Sequence, residues 1–299
     1  MEGSKTQSSQ TSTSNLDKVA EKLIINPCTF NKVVVKLRDF FQSHGYVEVH
    51  TQNRLSILAA CEDPKTIQTF NYAGLKWPLP QTGQMGLEYE MLKDPSPPGY
   101  FCVSTSYRNE ENPIPGRHDI IFPMFEFEMK GDIEDLIQME KELLAHLGYN
   151  AEKFPEMKYT DVAKKFGVQD LEHEHEQQLC QEYGPVFFLR DFPEYTHPFW
   201  NMNRYEDSKD AKKVDVIISG METIGSAERS CDTDQMRNSF ATISDGEYAE
   251  LIYAHFGKER VDKELDVFLS NRFMTRSGGG IGLTRLISSM VKEGLISIS

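Results

Sequence analysis

Apolar residues along the chain switch between two periods, one near 3.6 and one near 2. In FNKVVVKLRDFFQSHGY (30–46), Val34, Leu37 and Phe41 recur on one helical face, and Gly45 ends the helix before the strand-like YVEVHT. LKWPLPQTGQMGLEYEML (75–92) carries proline and glycine punctuation and then predicts a helix from about Thr82. FCVSTSYR (101–108) and IIFPMFEFEM (120–129) alternate as neighbouring strands do, and the ENPIPG between them predicts a loop folding back over the sheet. GDIEDLIQMEKELLAHLG (131–148) reads as an amphipathic helix with Ile133, Leu136, Ile137, Leu143 and Leu144 inward and Gly148 as its stop. A second helical region spans TDVAKKFG and LEHEHEQQLCQEYG. Three strand candidates follow: PVFFLRDF, HPFWNMNR and KVDVIISGME. The last element, SGGGIGLTRLISSMV, is a glycine-rich strand running into a helix. Strands without regular intervening helices predict an α+β domain, a mostly antiparallel sheet with helices packed on it.

Residues 1–15, MEGSKTQSSQTSTSN, are small and polar and cannot bury enough surface to offset the entropy of ordering. They predict a disordered tail before one folded domain over 16–299. Lys and Arg number 32 against 46 Asp and Glu, so the net charge of -14 repels a phosphate backbone except at a local basic patch. The five cysteines are scattered without C-x-x-C spacing, which suits reduced thiols better than a disulfide framework or a zinc site. No stretch approaches the roughly 20 apolar residues that span a bilayer, and no apolar signal opens the chain. A cytoplasmic protein without a membrane partner is the expectation.

Charge gathers where the strands end. Arg108 closes one strand while Arg117 and His118 open the approach to the next, positions from which they could converge on phosphates; the alternative is turn charges paired with Glu110 and Glu111. Gly278, Gly280 and Gly282 alternate along a strand and leave one sheet face bare. A flat ring can lie there, with Arg285 beside it to stack on a base and reach a phosphate; the alternative is tight helix–strand packing. No Gly-Lys-Ser/Thr follows, so this is not a P-loop. Asp215 and Glu222 bracket a strand and its end, and two hard carboxylates near a triphosphate suit Mg2+, although this spacing also describes ordinary surface acids. Arg229 is then free to hold a substrate carboxylate or amide. His173 and His175 are two apart, point to different helix faces and have no third ligand nearby, so they read as solvated surface.

Together these stretches resemble class II aminoacyl-tRNA synthetases of the aspartate/asparagine/lysine subclass and their asparagine synthetase A-type relatives. The family's second motif is matched by YRNE, ENPIPG and RHDIIF, its third by GGGIGLTR and its first by GYVEVHT without the usual proline. TGQMGLE (82–88), FPEYTHPFWNM (192–202) and METIGSAER (221–229) resemble the asparaginyl branch, although Ile121 and Ser230 stand where that pattern often has acids.

The resemblance implies a site for ATP and Mg2+. Phe122 and Arg285 would sandwich adenine over Gly280 and Gly282, with Glu110 near the ring. Arg108 would grip the α-phosphate and Arg117 and His118 the β and γ phosphates. Asp215 and Glu222 would hold Mg2+, while Gln84, Glu88 and Arg229 would read the amino acid. The catalytic set would be Arg108, Glu110 and Arg285. The implied reaction is AMP-forming activation of an aspartate- or asparagine-like amino acid as an acyl adenylate. The family also implies a homodimer. Family tRNA ligases carry an N-terminal anticodon-binding barrel of roughly a hundred residues, for which the sequence before the first motif has no room. That and the acidic charge favour ammonia or another small amine over tRNA as acceptor. An asparaginyl-type tRNA ligase without its anticodon domain and a non-catalytic regulatory paralogue are the alternatives.

Overall fold

The computed structural model describes residues 25–51, 64–113, 119–150 and 154–297. The expected N-terminal tail lies outside them. Nine helices and ten strands are described: α1 (Pro27–Ser43), β1 (Val47–Glu48), β2 (Thr69–Tyr72), β3 (Leu75–Pro78), α2 (Gln84–Lys93), β4 (Gly99–Tyr107), β5 (Ile121–Lys130), α3 (Ile133–Leu147), β6 (Glu156–Lys158), α4 (Tyr159–Phe166), α5 (His173–Tyr183), β7 (Val186–Phe192), β8 (Ala211–Ile218), β9 (Met221–Glu228), α6 (Thr233–Thr242), α7 (Glu247–Phe256), α8 (Lys258–Leu269), β10 (Arg276–Gly282) and α9 (Leu283–Lys292). Eight strands form one sheet in the order β1-β4-β5-β10-β9-β8-β7-β6, and β2 and β3 pair apart as a hairpin. The short edge strands β1 and β6 pair in parallel; every other neighbour in the large sheet is antiparallel. This is the α+β architecture the sequence predicts.

Strand alternation divides the sheet into two chemically different faces. One carries Phe101, Phe125, Phe127, Phe188, Val214, Val216, Ile224 and Ile281, all buried against α1, α3 and α9. Val34, Leu37 and Phe41 of α1 and the five inward positions expected of α3 all join this core. Asp132 caps α3 by accepting from the amides of Glu134 and Asp135, and Gly148 ends it at φ 107°. Such a cap contributes on the order of 1 kcal/mol. The opposite face carries Phe122, Met124, Glu126 and Glu128 of β5 and Gly278, Gly280 and Gly282 of β10. A second core covers one end of it, built by Trp200, Met236, Phe240, Tyr248, Ile252, Val261, Leu265 and Phe268.

The structure corrects three expectations. HPFWNMNR is not a strand. After a 3-10 turn, His197 adopts φ 53°, and the Arg204 guanidinium donates to the carbonyls of Pro198, Phe199 and Met202 at 3.0, 3.0 and 2.6 Å. Those carbonyls are satisfied by a side chain, leaving only isolated bridges at Met202 and Arg204, while Trp200 drops fully into the second core. KVDVIISGME splits at Ser219 and Gly220, both at positive φ, so Asp215 and Glu222 sit on adjacent strands of a hairpin rather than along one. Helices α6 to α8 fill residues 233–269, where the sequence reading places no element.

Candidate active site

The glycine stripe forms a floor. Gly280 of β10 lies directly opposite Gly225 of β9, and Gly278 opposite Ala227, so two neighbouring strands present almost no side chain. Crowding from the neighbouring strand β5 explains part of this bareness. A Cβ on Gly278 would stand 1.9 Å from Glu128 Oε2 and 2.5 Å from the Phe127 carbonyl, which no rotamer change relieves. At Gly280 the nearest atom is the Cε of Met124, at 2.8 Å, the far end of a flexible side chain.

Over this floor opens a cleft of about 220 Å³ lined by Arg108, Glu110, Phe122, Glu222, Gly280, Gly282 and Arg285, together with Asp119, Met124, Thr223, Gly225 and Thr284. Seven of the residues singled out from the sequence therefore share one concavity. The Arg108 guanidinium carbon sits 5.6 Å from the Phe122 ring centroid, at the reach of a cation–π contact. Arg285 is held at the other end of the floor by donating from Nη1 to the Glu222 carbonyl at 2.6 Å. Arg117 and His118 lie outside the described residues.

Asp215 and Glu222 converge on Gly225: a Cβ there would meet Glu222 Oε1 at 2.9 Å and Asp215 Oδ1 at 3.7 Å. Burial pushes the Asp215 carboxyl up to about 7, against the pull of the Lys213 ammonium, which donates to Oδ2 at 2.6 Å. Its Oδ1 is buried and has no hydrogen-bond partner among the described residues. Two carboxylates around an open glycine, one with an unused buried oxygen, fit a hard divalent cation that takes its other ligands from phosphate and water. Among the described residues no group of three or more His, Cys, Asp or Glu is placed to hold a metal by itself.

Beyond Gly278 the floor runs into a buried ionic cluster. Glu88, Glu128, Arg229 and Arg276 are each at most 1% exposed. Glu88 accepts from Arg276 Nη2 and from Asn201 Nδ2, both at 2.7 Å. Arg229, expected to be free for substrate, contacts Glu128 at 3.3 to 3.4 Å, and its Nη2 lies beside the Gln84 side-chain amide, to whose oxygen it donates when that amide is turned to face its donors. In that orientation Gln84 also accepts from the Gly279 amide at 3.1 Å, and Arg229 lies 3.9 Å from Glu88, so the three residues expected to read the amino acid do meet, beside the first turns of α2. Burial pushes the Glu128 carboxyl up to about 7, opposed by Arg229.

Glu126 stands between cluster and cleft, its Oε1 3.9 Å from where a Gly280 Cβ would be. It accepts from the Gly83 amide at 2.8 Å and from the hydroxyls of Thr82 and Ser104. Sequence reasoning missed Glu126, Glu128, Arg276 and Asn201. The signal for the first two was present: in FPMFEFE, both acids share the face of Phe122 at a period of two.

The family model of tRNA synthetases class II (D, K and N) matches residues 7–297. The chain belongs to that family. An aspartate–tRNA(Asp/Asn) ligase of Methanopyrus kandleri is 24% identical over 228 residues, 67% of this chain and 51% of that protein. An aspartate–tRNA(Asp) ligase of Thermoplasma volcanium is 23% identical over 294 residues, 88% of this chain and 63% of that protein. Asparaginyl-tRNA synthetase of Pyrococcus horikoshii, solved with asparaginyl-adenylate, superposes with a TM-score of 0.71 at 19% identity over 92% of this chain and 65% of that one. The chain thus shares the class II synthetase fold and spans between half and two thirds of the length of these relatives. No helix among the described residues is long and apolar enough to cross a membrane.

Proposed function

We propose that the cleft activates an aspartate- or asparagine-like amino acid with ATP, forming an acyl adenylate and releasing pyrophosphate. The observation that carries this reading is the bare floor bounded by Phe122 and Arg108 on one side and by Arg285 and Glu222 on the other, in one concavity. Phe122 and Arg285 supply two flat faces for adenine, and Glu110 lines the same space. Arg108 reaches the α-phosphate, and Arg117 with His118 are assigned to the outer phosphates. Asp215 and Glu222 would hold Mg2+, which would supply positive charge against the phosphates.

The substrate carboxylate attacks the α-phosphorus in line as the bond to pyrophosphate breaks, and no protein nucleophile takes part. Catalysis then rests on positioning and on cations held where negative charge grows. Gln84, Glu88 and Arg229 define the amino-acid end. The acceptor we favour is ammonia or another small amine, because a chain of net charge -14 repels a polynucleotide. tRNA is the second reading, favoured by the activities of the two ligase relatives.

Exchange of labelled pyrophosphate into ATP, screened over the twenty amino acids, tests the first step. Exchange dependent on aspartate or asparagine is expected; none with any amino acid would remove the assignment. Adding ammonia or tRNA to the active mixture and following AMP release then separates the two acceptors.

A further inference from the structure

The core face of the sheet loses its cover at one end. Along β5, Phe125 and Phe127 are fully buried against Phe41 of α1, while Pro123 and Ile121, on the same face, are only half-buried. Thr105 of β4 pairs with Pro123 and is exposed. With Ile25 and Phe30 beside the start of α1, these residues line an apolar groove of about 340 Å³ that shares Phe122 and Thr284 with the cleft. Asn26 caps α1 by accepting from the Thr29 amide at 2.9 Å, which makes Ile25 the residue before the cap and Phe30 the fourth of the helix. Those are the two positions of a hydrophobic staple, which fixes the angle at which a chain enters its helix. Both line the groove, so the residues before Ile25 approach over it. They carry the pattern such a groove requires. In LDKVAEKLI (16–24), which lies outside the described residues, Leu16, Val19, Ala20, Leu23 and Ile24 recur at i, i+3, i+4, i+7 and i+8, and Asp17, Lys18, Glu21 and Lys22 take the other face. Ser14 and Asp17 stand at capping-box spacing just before that run.

We infer that residues 16–24 seat this apolar stripe in the groove as a helix and so brace the strand end that carries Phe122. This occupant is tethered at the rim by Ile25, so its effective concentration there exceeds that of a free partner. Ile121 and Pro123 flank Phe122 and point to the opposite face of the sheet, so a segment packed on them fixes the backbone from which Phe122 lines the cleft. The consequence for ATP rests on the adenylate-forming reading above; the seating of the segment does not.

Trypsin digestion of the full chain, followed by mass spectrometry, reads the seating. Lys5 lies in the polar stretch, Lys18 and Lys22 lie in the segment, and none of the three precedes a proline. Cleavage after Lys18 and Lys22 should be at least about tenfold slower than after Lys5, because a packed segment is cut only from its opened state. Leu16→Ser combined with Leu23→Ser, or Thr105→Glu in the groove itself, should remove that protection. Equal rates at the three lysines, or protection that survives Thr105→Glu, would overturn the inference. Protection that appears only as protein concentration rises would overturn it too, by giving the groove to a second copy. Pyrophosphate exchange reads the bracing: the same variants should raise KM for ATP several-fold and leave kcat within about twofold. An unchanged KM in variants that trypsin cuts freely would overturn the bracing. Absence of all exchange in the wild type removes the adenylate reading and leaves the digestion to decide the seating.

Discussion

Arg108 and Phe122 are where a change in one side chain should separate catalysis from folding. Arg108 is only half-buried, at the end of β4, and its guanidinium lies over the Phe122 ring at the mouth of the cleft. Truncating it removes no core packing but takes away the cation assigned to the α-phosphate. Arg108→Ala is expected to slow exchange by roughly 10² to 10³, about 2.7 to 4 kcal/mol of transition-state stabilisation, with an unchanged melting temperature. A loss below tenfold in kcat/KM would show that the residue does not meet developing charge. The cleft-lining residues were legible because each sits on a strand whose alternation fixes its side, or at the first turn after one. Arg276 and Asn201 were not. Arg276 gains its meaning from Glu88, 188 positions away in sequence, and Asn201 from a loop whose path Arg204 sets by binding three carbonyls.

At the scale of the element, β10 owes its glycines to two different constraints. Gly278 faces the backbone carbonyl of Phe127 and the Glu128 carboxylate at distances no side chain survives, whereas Gly280 faces only the end of Met124. Gly278→Ala should therefore cost about 1–3 kcal/mol of stability or more, as overpacking does. Gly280→Ala should leave the melting temperature nearly unchanged while its methyl rises into the cleft and raises KM for ATP. Thermal unfolding and ATP titration of both variants would check this, and the reverse order of effects would mean the stripe serves packing alone. The same strand was easy to read because its pattern is chemical as well as periodic. HPFWNMNR misled because aromatic content mimics a strand while the backbone bonds go to Arg204. Val261, Leu265 and Phe268 repeat at helical spacing in α8, but nothing in that pattern says which core they join.

For the molecule as a whole, the sheet separates a side that must stay dry from one that must hold charge, and a few carboxylates are caught on the wrong side of that division. Glu140 of α3 is fully buried beneath the sheet, and neither of its oxygens has a hydrogen-bond partner among the described residues. Burial pushes its carboxyl from 4.5 up to about 8, and Glu128 and Asp215 are pushed to about 7 by the same cause. A carboxyl whose folded value is raised keeps its proton in the native state at a pH where the unfolded chain has lost it. Its stabilising contribution is complete below the unfolded value and disappears as pH rises through the folded one. Stability measured without nucleotide or metal should therefore fall between about pH 4.5 and 8 on account of these three groups. Glu140→Gln keeps the shape and removes one titration. It should flatten the fall between pH 7 and 8 and melt higher than wild type at pH 8.5, where the native carboxylate is buried with its charge. Equal melting curves for the two proteins across that range would mean that Glu140 is solvated or paired in solution.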